Sequence, residues 1–444
     1  MNNENLSNQD SQTKLDQVFE DYSVEAVPEE KTRGWLSMGL IWAGVGISLG
    51  LLLTGGTLGD GLSIQQIFFA AILAGGLLAL VTILIGVIGA KTGLSTAMVS
   101  RFTFGNTAII LIAFIQAMGS YGWFAVQLGL FGRTSATAWE MGTGFAGNEK
   151  LFIVIGGICM ILTATLGYKG LEFLSKIAVP LLLLLMGASM WRILQDFTFA
   201  EILNFGGNEN PITFGTGVSL AVSSFIVGAV VAPDVSRYAK TPKHTIGGAI
   251  LAFLVVVPMV LMVGSTMAQA TGTWDIVDIM IRLGWGIIAF LVLMLAQWTS
   301  NDNNLYCGAL GFTVAFKKLK KWHITVVAGV IGIVLALLGI YDNFDMFLNV
   351  LGVFIPPMGG VIIIDYYFFK KKHYKAPNLS NLVDFRSIAI FSWVIGSSVS
   401  LLTTYFGVTI TTIPAFDGLI LASVTHFILM KFVKNEKVLK EEKY

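Results

Sequence analysis

Residues 295–310 read LAQWTSNDNNLYCGAL. From Gln297 to Asn304 this stretch holds seven polar residues and one Trp, yet the apolar run IIAFLVLMLA leads into it and GALGFTVAF follows. On an α-helix Ala296, Thr299 and Ser300, spaced i, i+3 and i+4, share one face. The Ala296 carbonyl and the two hydroxyls would then converge. Uncharged oxygen ligands suit a small hard cation such as Na⁺. Hydroxyls in membrane helices also bond back to the i−4 carbonyl, so this face alone leaves both readings open. Asn301 can donate and accept, which suits the amide-like edge of a heterocycle. Asp302 has three open roles: cation ligand, proton carrier, or cap of a second half-helix.

The surroundings decide what kind of helix this is. The chain has 444 residues, 55% hydrophobic and 12% charged, with a mean hydropathy of +0.75. Soluble domains carry about 25% charged residues. So low a charge content cannot cover a water-facing surface, and the expected class is an all-α integral membrane protein. A net charge of +1 excludes a strongly basic nucleic-acid binder. Cys159 and Cys307 both sit in apolar stretches, which makes them packing residues. No metal-ligand spacing, phosphate loop or Ser–His–Asp set occurs. The four histidines, His244, His323, His373 and His426, are placed near helix ends or in loops. An enzyme is therefore not expected, nor a cofactor.

Twelve segments qualify as membrane spans by apolar length: 35–54, 63–90, 105–132, 150–168, 172–195, 213–232, 243–269, 284–315, 322–341, 343–367, 386–405 and 410–433. With the N-terminus inside, all 28 Lys and Arg fall on the cytoplasmic side except Arg133, Lys150, Arg192 and Arg282. That asymmetry supports an even number of crossings with both termini cytoplasmic. Residues 1–33 and 434–444 are polar and read as disordered cytoplasmic tails. Five helices repeated would invert the second copy, an architecture common in transporters. The first and sixth spans, WAGVGISLGLLLTGGTLG (42–59) and SLAVSSFIVGAVVAPD (219–234), are both rich in Gly and Ser. They are candidates for discontinuous helices, or for tight helix packing. An unwound first span would offer carbonyls near Val45 and Ser48 to the oxygen face of the eighth.

The third span contains QAMGSYGWFAVQLG (116–129). Trp123 and Gln127 are i, i+4 and share a face. A Trp plane beside an amide is a platform for a flat polar ring. The sixth span adds Ser224 and Phe225, whose ring could close the other side. Its end, APDVSRYAK, places Asp234 and Arg237 as a pair at the cytoplasmic rim.

Six stretches carry a resemblance: TGGTLGDGLS (54–63), GAKTGLSTAMVSRFTFG (89–105), GWF (122–124), SSFIVGAVVAPDVSRYAK (223–240), WTSNDNNLYCGALGF (298–312) and IPPMGGVIIIDYYF (355–368). Together, and in this order, the chain resembles the nucleobase–cation symporter-1 family, most closely its bacterial cytosine permease branch. The resemblance implies a leucine-transporter-like fold: five-helix repeats at 34–195 and 213–367, with two further helices at 386–433. It implies inward transport of a flat heterocycle by alternating access, coupled to Na⁺ or H⁺. The ring would stack between Trp123 and Phe225, with Asn301 as a polar contact. Na⁺ would sit on Ala296, Thr299 and Ser300 plus carbonyls near Val45 and Ser48. Two positions depart from the cytosine branch. Ser120 stands where that branch carries Gln, and the amide lies instead at Gln127, as in hydantoin-transporting relatives; Ala296 likewise follows those relatives.

The expectation is a Na⁺-coupled nucleobase importer of the bacterial cytoplasmic membrane, with cytosine first among substrates. Hydroxymethylpyrimidine, a purine base, allantoin or a hydantoin, or H⁺ coupling, are the alternatives. A membrane receptor that binds the ring without moving it is the rival from another class. The oligomeric state is open and compatible with a monomer.

Overall fold

The computed structural model describes residues 27–107, 109–166, 168–207, 211–315, 321–433 and 437–439. Among them the regular elements are helices, with two isolated backbone bridges and no strand. The first predicted span is two helices, α1 (Trp35–Gly46) and α2 (Leu49–Gly61). Ser48 causes the break: its backbone is extended (φ −130°, ψ 150°), and its hydroxyl accepts from the Leu51 amide at 3.4 Å. A side chain that caps the next helix ends the previous one. α3 (Ile64–Thr92) starts on a capping box between Ser63 and Gln66 and stops at Gly93, whose φ of 68° favours glycine. The short α4 (Thr96–Phe104) follows. Then come α5 (Ile109–Thr143), α6 (Glu149–Leu166), α7 (Tyr168–Asp196) and the one-turn α8 (Phe199–Ile202).

The sixth predicted span is broken into α9 (Phe214–Ser223), α10 (Ile226–Val230) and α11 (Ala232–Ser236). Phe225 sits at the first break (φ −128°, ψ 2°), and Pro233 opens α11, where its missing N–H costs nothing. α12 (Pro242–Leu251) passes through a π-turn into α13 (Val257–Thr271). The remainder is α14 (Ile276–Arg282), α15 (Ile287–Ala315), α16 (Lys321–Leu337), α17 (Phe344–Ile364), α18 (Ser387–Phe406) and α19 (Pro414–Phe432). Six helices among the described residues are long and apolar enough to cross a membrane: Ile64–Thr92, Ile177–Asp196, Pro242–Thr271, Phe344–His373, Ser387–Phe406 and Pro414–Phe432. The other six predicted segments are also helical, the first and sixth with breaks.

One large apolar core gathers α2, α3, α9, α10 and α13, with residues of α5 and α15 such as Leu130 and Leu293; a second, smaller core gathers Phe124, Phe131, Met160, Leu305 and Ala328 from α5, α6, α15 and α16. In the first, glycines let backbones meet: a Cβ on Gly59 of α2 would lie 2.7 Å from the Ser265 carbonyl of α13, and the Ser265 hydroxyl donates to Gly55 O at 2.7 Å. This is small-residue packing with an interhelical hydrogen bond as glue.

Four expectations are corrected. α15 runs unbroken through Asp302, so Asp302 caps no half-helix. Of residues 1–33 only 27–33 are described, and there Arg33 bridges to Ala239: Arg33 N donates to Tyr238 O at 2.7 Å and Lys240 N to Arg33 O at 3.0 Å. In the C-terminal segment Val438 is buried and its carbonyl accepts from Val383 N at 2.9 Å; of 434–444 only 437–439 are described. In both places the segment pairs its backbone with a loop of the chain rather than with water. His426 is not at a helix end: it is fully buried in α19, against Asp365.

Candidate functional site

The two breaks face the third predicted span. Trp123 of α5 lies on Gly50, in the first turn of α2; a Cβ there would be 2.7 Å from the indole Cζ3. Its other flank is held by two rings of α17: Phe344 at 5.6 Å and Phe347 at 5.4 Å between centroids, both edge-on. Gly122 gives Phe347 its room. One turn beyond Trp123, Gln127 is buried and its Oε1 has no hydrogen-bond partner. A buried carbonyl oxygen left unpaired is costly, and a ligand amide would satisfy it. Ser120, one turn the other way, is half-buried.

Phe225 is buried at the α9–α10 break, edge-on to Phe253 at 5.1 Å and lying over Gly228. Ser224 is occupied: its hydroxyl donates to Ala221 O at 2.8 Å. Its neighbour Ser223 is buried with a free hydroxyl. Asn301 is fully buried, and its Nδ2 donates to the Phe124 carbonyl at 3.2 Å. It thus reaches α5 one residue past Trp123, while its Oδ1 has no partner.

Ala296 and Thr299 are buried together, and the Thr299 hydroxyl donates to the Ala296 carbonyl at 3.0 Å. Two of the predicted cation oxygens are therefore adjacent, and Ser300 is half-buried beside them. α15 touches α2, whose N-cap is Ser48. Val45 lies in the last turn of α1, where carbonyls lack intrahelical partners. The donor set is all neutral oxygen, which fits a monovalent cation. Asn301 and the Ala296–Thr299 pair occupy different faces of α15, roughly 140° apart for Asn301 against Ala296.

Sequence reasoning missed several partners. Asp302 is buried on the α6 side, accepting from the Thr163 hydroxyl at 2.7 Å; Trp298 Nε1 donates to the same hydroxyl oxygen at 3.2 Å. Asp234 accepts from the Thr96 amide at 2.8 Å, joining α11 to α4, while Arg237 stacks on Tyr238 at 5.0 Å and donates to the Asp234 backbone oxygen at 3.3 Å. The i, i+3 spacing of Phe344 and Phe347 puts them on one face of α17, and nothing in the sequence points that face toward Trp123.

A helix broken beside an aromatic and an unpaired buried amide oxygen, in a chain with six helices long and apolar enough to cross a membrane, fits a multi-pass membrane transporter. Two solved structures of Mhp1, a nucleobase-cation-symport-1 family transporter, share the fold. The inward-facing form matches with a TM-score of 0.81 at 21% identity, covering 92% of this chain and 93% of that one. The closed form with bromovinylhydantoin bound gives 0.79 at 20%, covering 94% and 97%. The chain belongs to the nucleobase–cation symporter-1 family: the model described as "permease for cytosine/purines, uracil, thiamine, allantoin" matches residues 25–429. The cytosine permease of Escherichia coli K12 is 33% identical over 375 residues, 84% of this chain and 87% of that protein. The hydantoin permease of Microbacterium maritypicum is 24% identical, over 91% and 87%. It is a multi-pass membrane transporter and not an enzyme.

Proposed function

We propose that this protein imports a nucleobase, cytosine first, by Na⁺-coupled symport with alternating access across the bacterial cytoplasmic membrane. In this reading the chain crosses twelve times with both termini inside. Residues 34–195 and 213–367 are inverted five-helix repeats, and 386–433 add two helices. The observation that carries it is Trp123 resting on Gly50 at the α1–α2 break, with the unpaired Gln127 amide one turn on. The ring would stack on Trp123 and Phe225 and offer its amide edge to Gln127 and Asn301, with Ser120 and Ser224 at the margin. Na⁺ would join Ala296, Thr299 and Ser300 to the carbonyls near Val45 and Ser48. An ion shared by α15 and the α1–α2 break would favour the substrate-receiving state, so each passenger would raise the affinity for the other.

Gln127, with Ser120 in place of a glutamine, supports a second reading in which a hydantoin or allantoin is carried. Uptake of labelled cytosine and labelled hydantoin into proteoliposomes, with and without a Na⁺ gradient, tests both. Na⁺ stimulation is expected. It should disappear in Thr299→Val, which keeps shape but loses the oxygen, and equal uptake without Na⁺ would refute the coupling. Trp123→Ala should abolish binding; intact binding would refute the stacking. Binding with no gradient-driven accumulation would favour a receptor.

A further inference from the structure

The amide at Gln127 belongs to a longer row. On α5, Gln116, Ser120, Trp123 and Gln127 recur at intervals of four, three and four residues. At 100° per residue they fall within about 60° of one another, on one face. Gln116 is half-buried, and its Nε2 is buried with no hydrogen-bond partner. It lies two turns from Trp123, about 10 Å along the helix axis, toward α4, the side where the cationic loops gather. Between the two, α5 is closed against α10: a Cβ on Gly119 would sit 2.7 Å from Val227 Cγ2. The row therefore passes from Trp123, behind the Val227–Gly119 contact, to a second side-chain amide whose Nε2 no protein group satisfies.

Buried amides are paired in native structures, and an exception calls for water, an ion or a ligand. A helix face that carries the binding Trp and continues to an unpaired amide suits a ring with donors and acceptors on its edge. We propose that Gln116 is a second, exit-side contact for the heterocycle, taking its amide edge once the ring has passed Val227. This inference rests on the transport reading above. Gln116 lowers the barrier to release and contributes nothing to affinity at Trp123.

The test uses the full chain, with labelled cytosine and labelled hydantoin as probes. Gln116→Met keeps length and removes the amide; Gln116→Ala carries the test if that variant does not fold. Equilibrium binding should stay within about twofold of the parent, while the maximal uptake rate falls about tenfold, the worth of one hydrogen bond at the barrier. Gln116→Asn should recover part of the rate. An unchanged rate overturns the inference. So does a loss of affinity in step with the rate, which would place Gln116 in the Trp123 site or in a structural role. If the parent binds neither probe, the cytosine and hydantoin reading of the substrate falls, whatever the variants do.

Discussion

Gly50 carries no side chain because the Trp123 indole occupies the space, 2.7 Å from where a Cβ would stand. Gly50→Ala must therefore push the ring, or α2, by several tenths of an ångström. Overpacking of this kind costs about 1–3 kcal/mol. If Trp123 is the stacking surface, the cost appears as weaker cytosine binding, by about tenfold, in an equilibrium assay. Unchanged affinity in a normally folded variant would mean that Trp123 does not hold the ring. At this scale the sequence was informative in part. Trp123 and Gln127 were readable from i, i+4 spacing, and Ala296 with Thr299 from i, i+3. Asn301 was readable as buried, but not its turn toward the Phe124 carbonyl. Spacing tells which residues share a face of a helix; it does not tell which neighbour that face meets.

Helix ends are where elements are tied to one another. α17 finishes at Asp365, which is fully buried and bound in two-pronged fashion by Arg386, with both N–O distances 2.8 Å. Tyr374 donates to the same carboxylate at 2.7 Å and His426 of α19 lies at 3.3 Å. Arg386 also donates to the Phe102 and Thr103 carbonyls at the end of α4, each at 2.9 Å. One charge pair thus joins α17, α19, α4 and the segment before α18. Arg386→Leu leaves Asp365 without its cation, and breaking a buried pair from one side costs about 3–5 kcal/mol. A marked fall in the unfolding temperature in detergent is expected, with much of it restored by adding Asp365→Asn. A single variant as stable as the parent would contradict the account. None of these pairings could be read from the chain, because their members are 21, 61 and more than 280 positions apart. The breaks in the first and sixth spans were legible because Gly, Ser and Pro act locally. The polar run of the eighth span looked like a break yet is a continuous helix. Three of its side chains bond to α5 and α6: Gln297 Nε2 to the Thr134 hydroxyl, Asn301 Nδ2 to the Phe124 carbonyl, and Asp302 to the Thr163 hydroxyl.

At the scale of the whole molecule, a polar cluster ties α5 to α14 and to the residue before α17. Arg133 of α5 approaches Asp275, the N-cap of α14, at 3.4 Å and Asp278 in its first turn at 3.2 Å, and Tyr341 before α17 donates to Asp275 at 2.9 Å. A cavity of about 550 Å³, lined by Gly129, Asn148, Glu149, Tyr341 and Asp342 among others, opens beside this cluster. If α5 moves against α14 during transport, the cluster must part when the site opens outward. Burial pushes the Asp275 carboxyl above the ordinary aspartate range, with Arg133, the Asp278 amide and Tyr341 pulling it back. A proton is then held more firmly in the closed cluster than in the open one. Closure is favoured below the ordinary aspartate range, and that contribution is lost as pH rises through the raised value. Above it the carboxylate is charged, and Arg133 is the group that offsets its burial. Arg133 is one-third exposed, which moderates the effect to about 1–2 kcal/mol. Arg133→Gln should therefore shift the molecule toward the outward-open state about tenfold at neutral pH, and less in mild acid. The readout is the alkylation rate of Gln127→Cys by an impermeant reagent added outside, in a background carrying Cys159→Ala and Cys307→Ala. Asp275→Asn, which removes both the burial cost and the pull, should make that rate insensitive to pH over the same range. Equal alkylation in the parent and Arg133→Gln at neutral pH would mean that the cluster is a structural tie within one moving body.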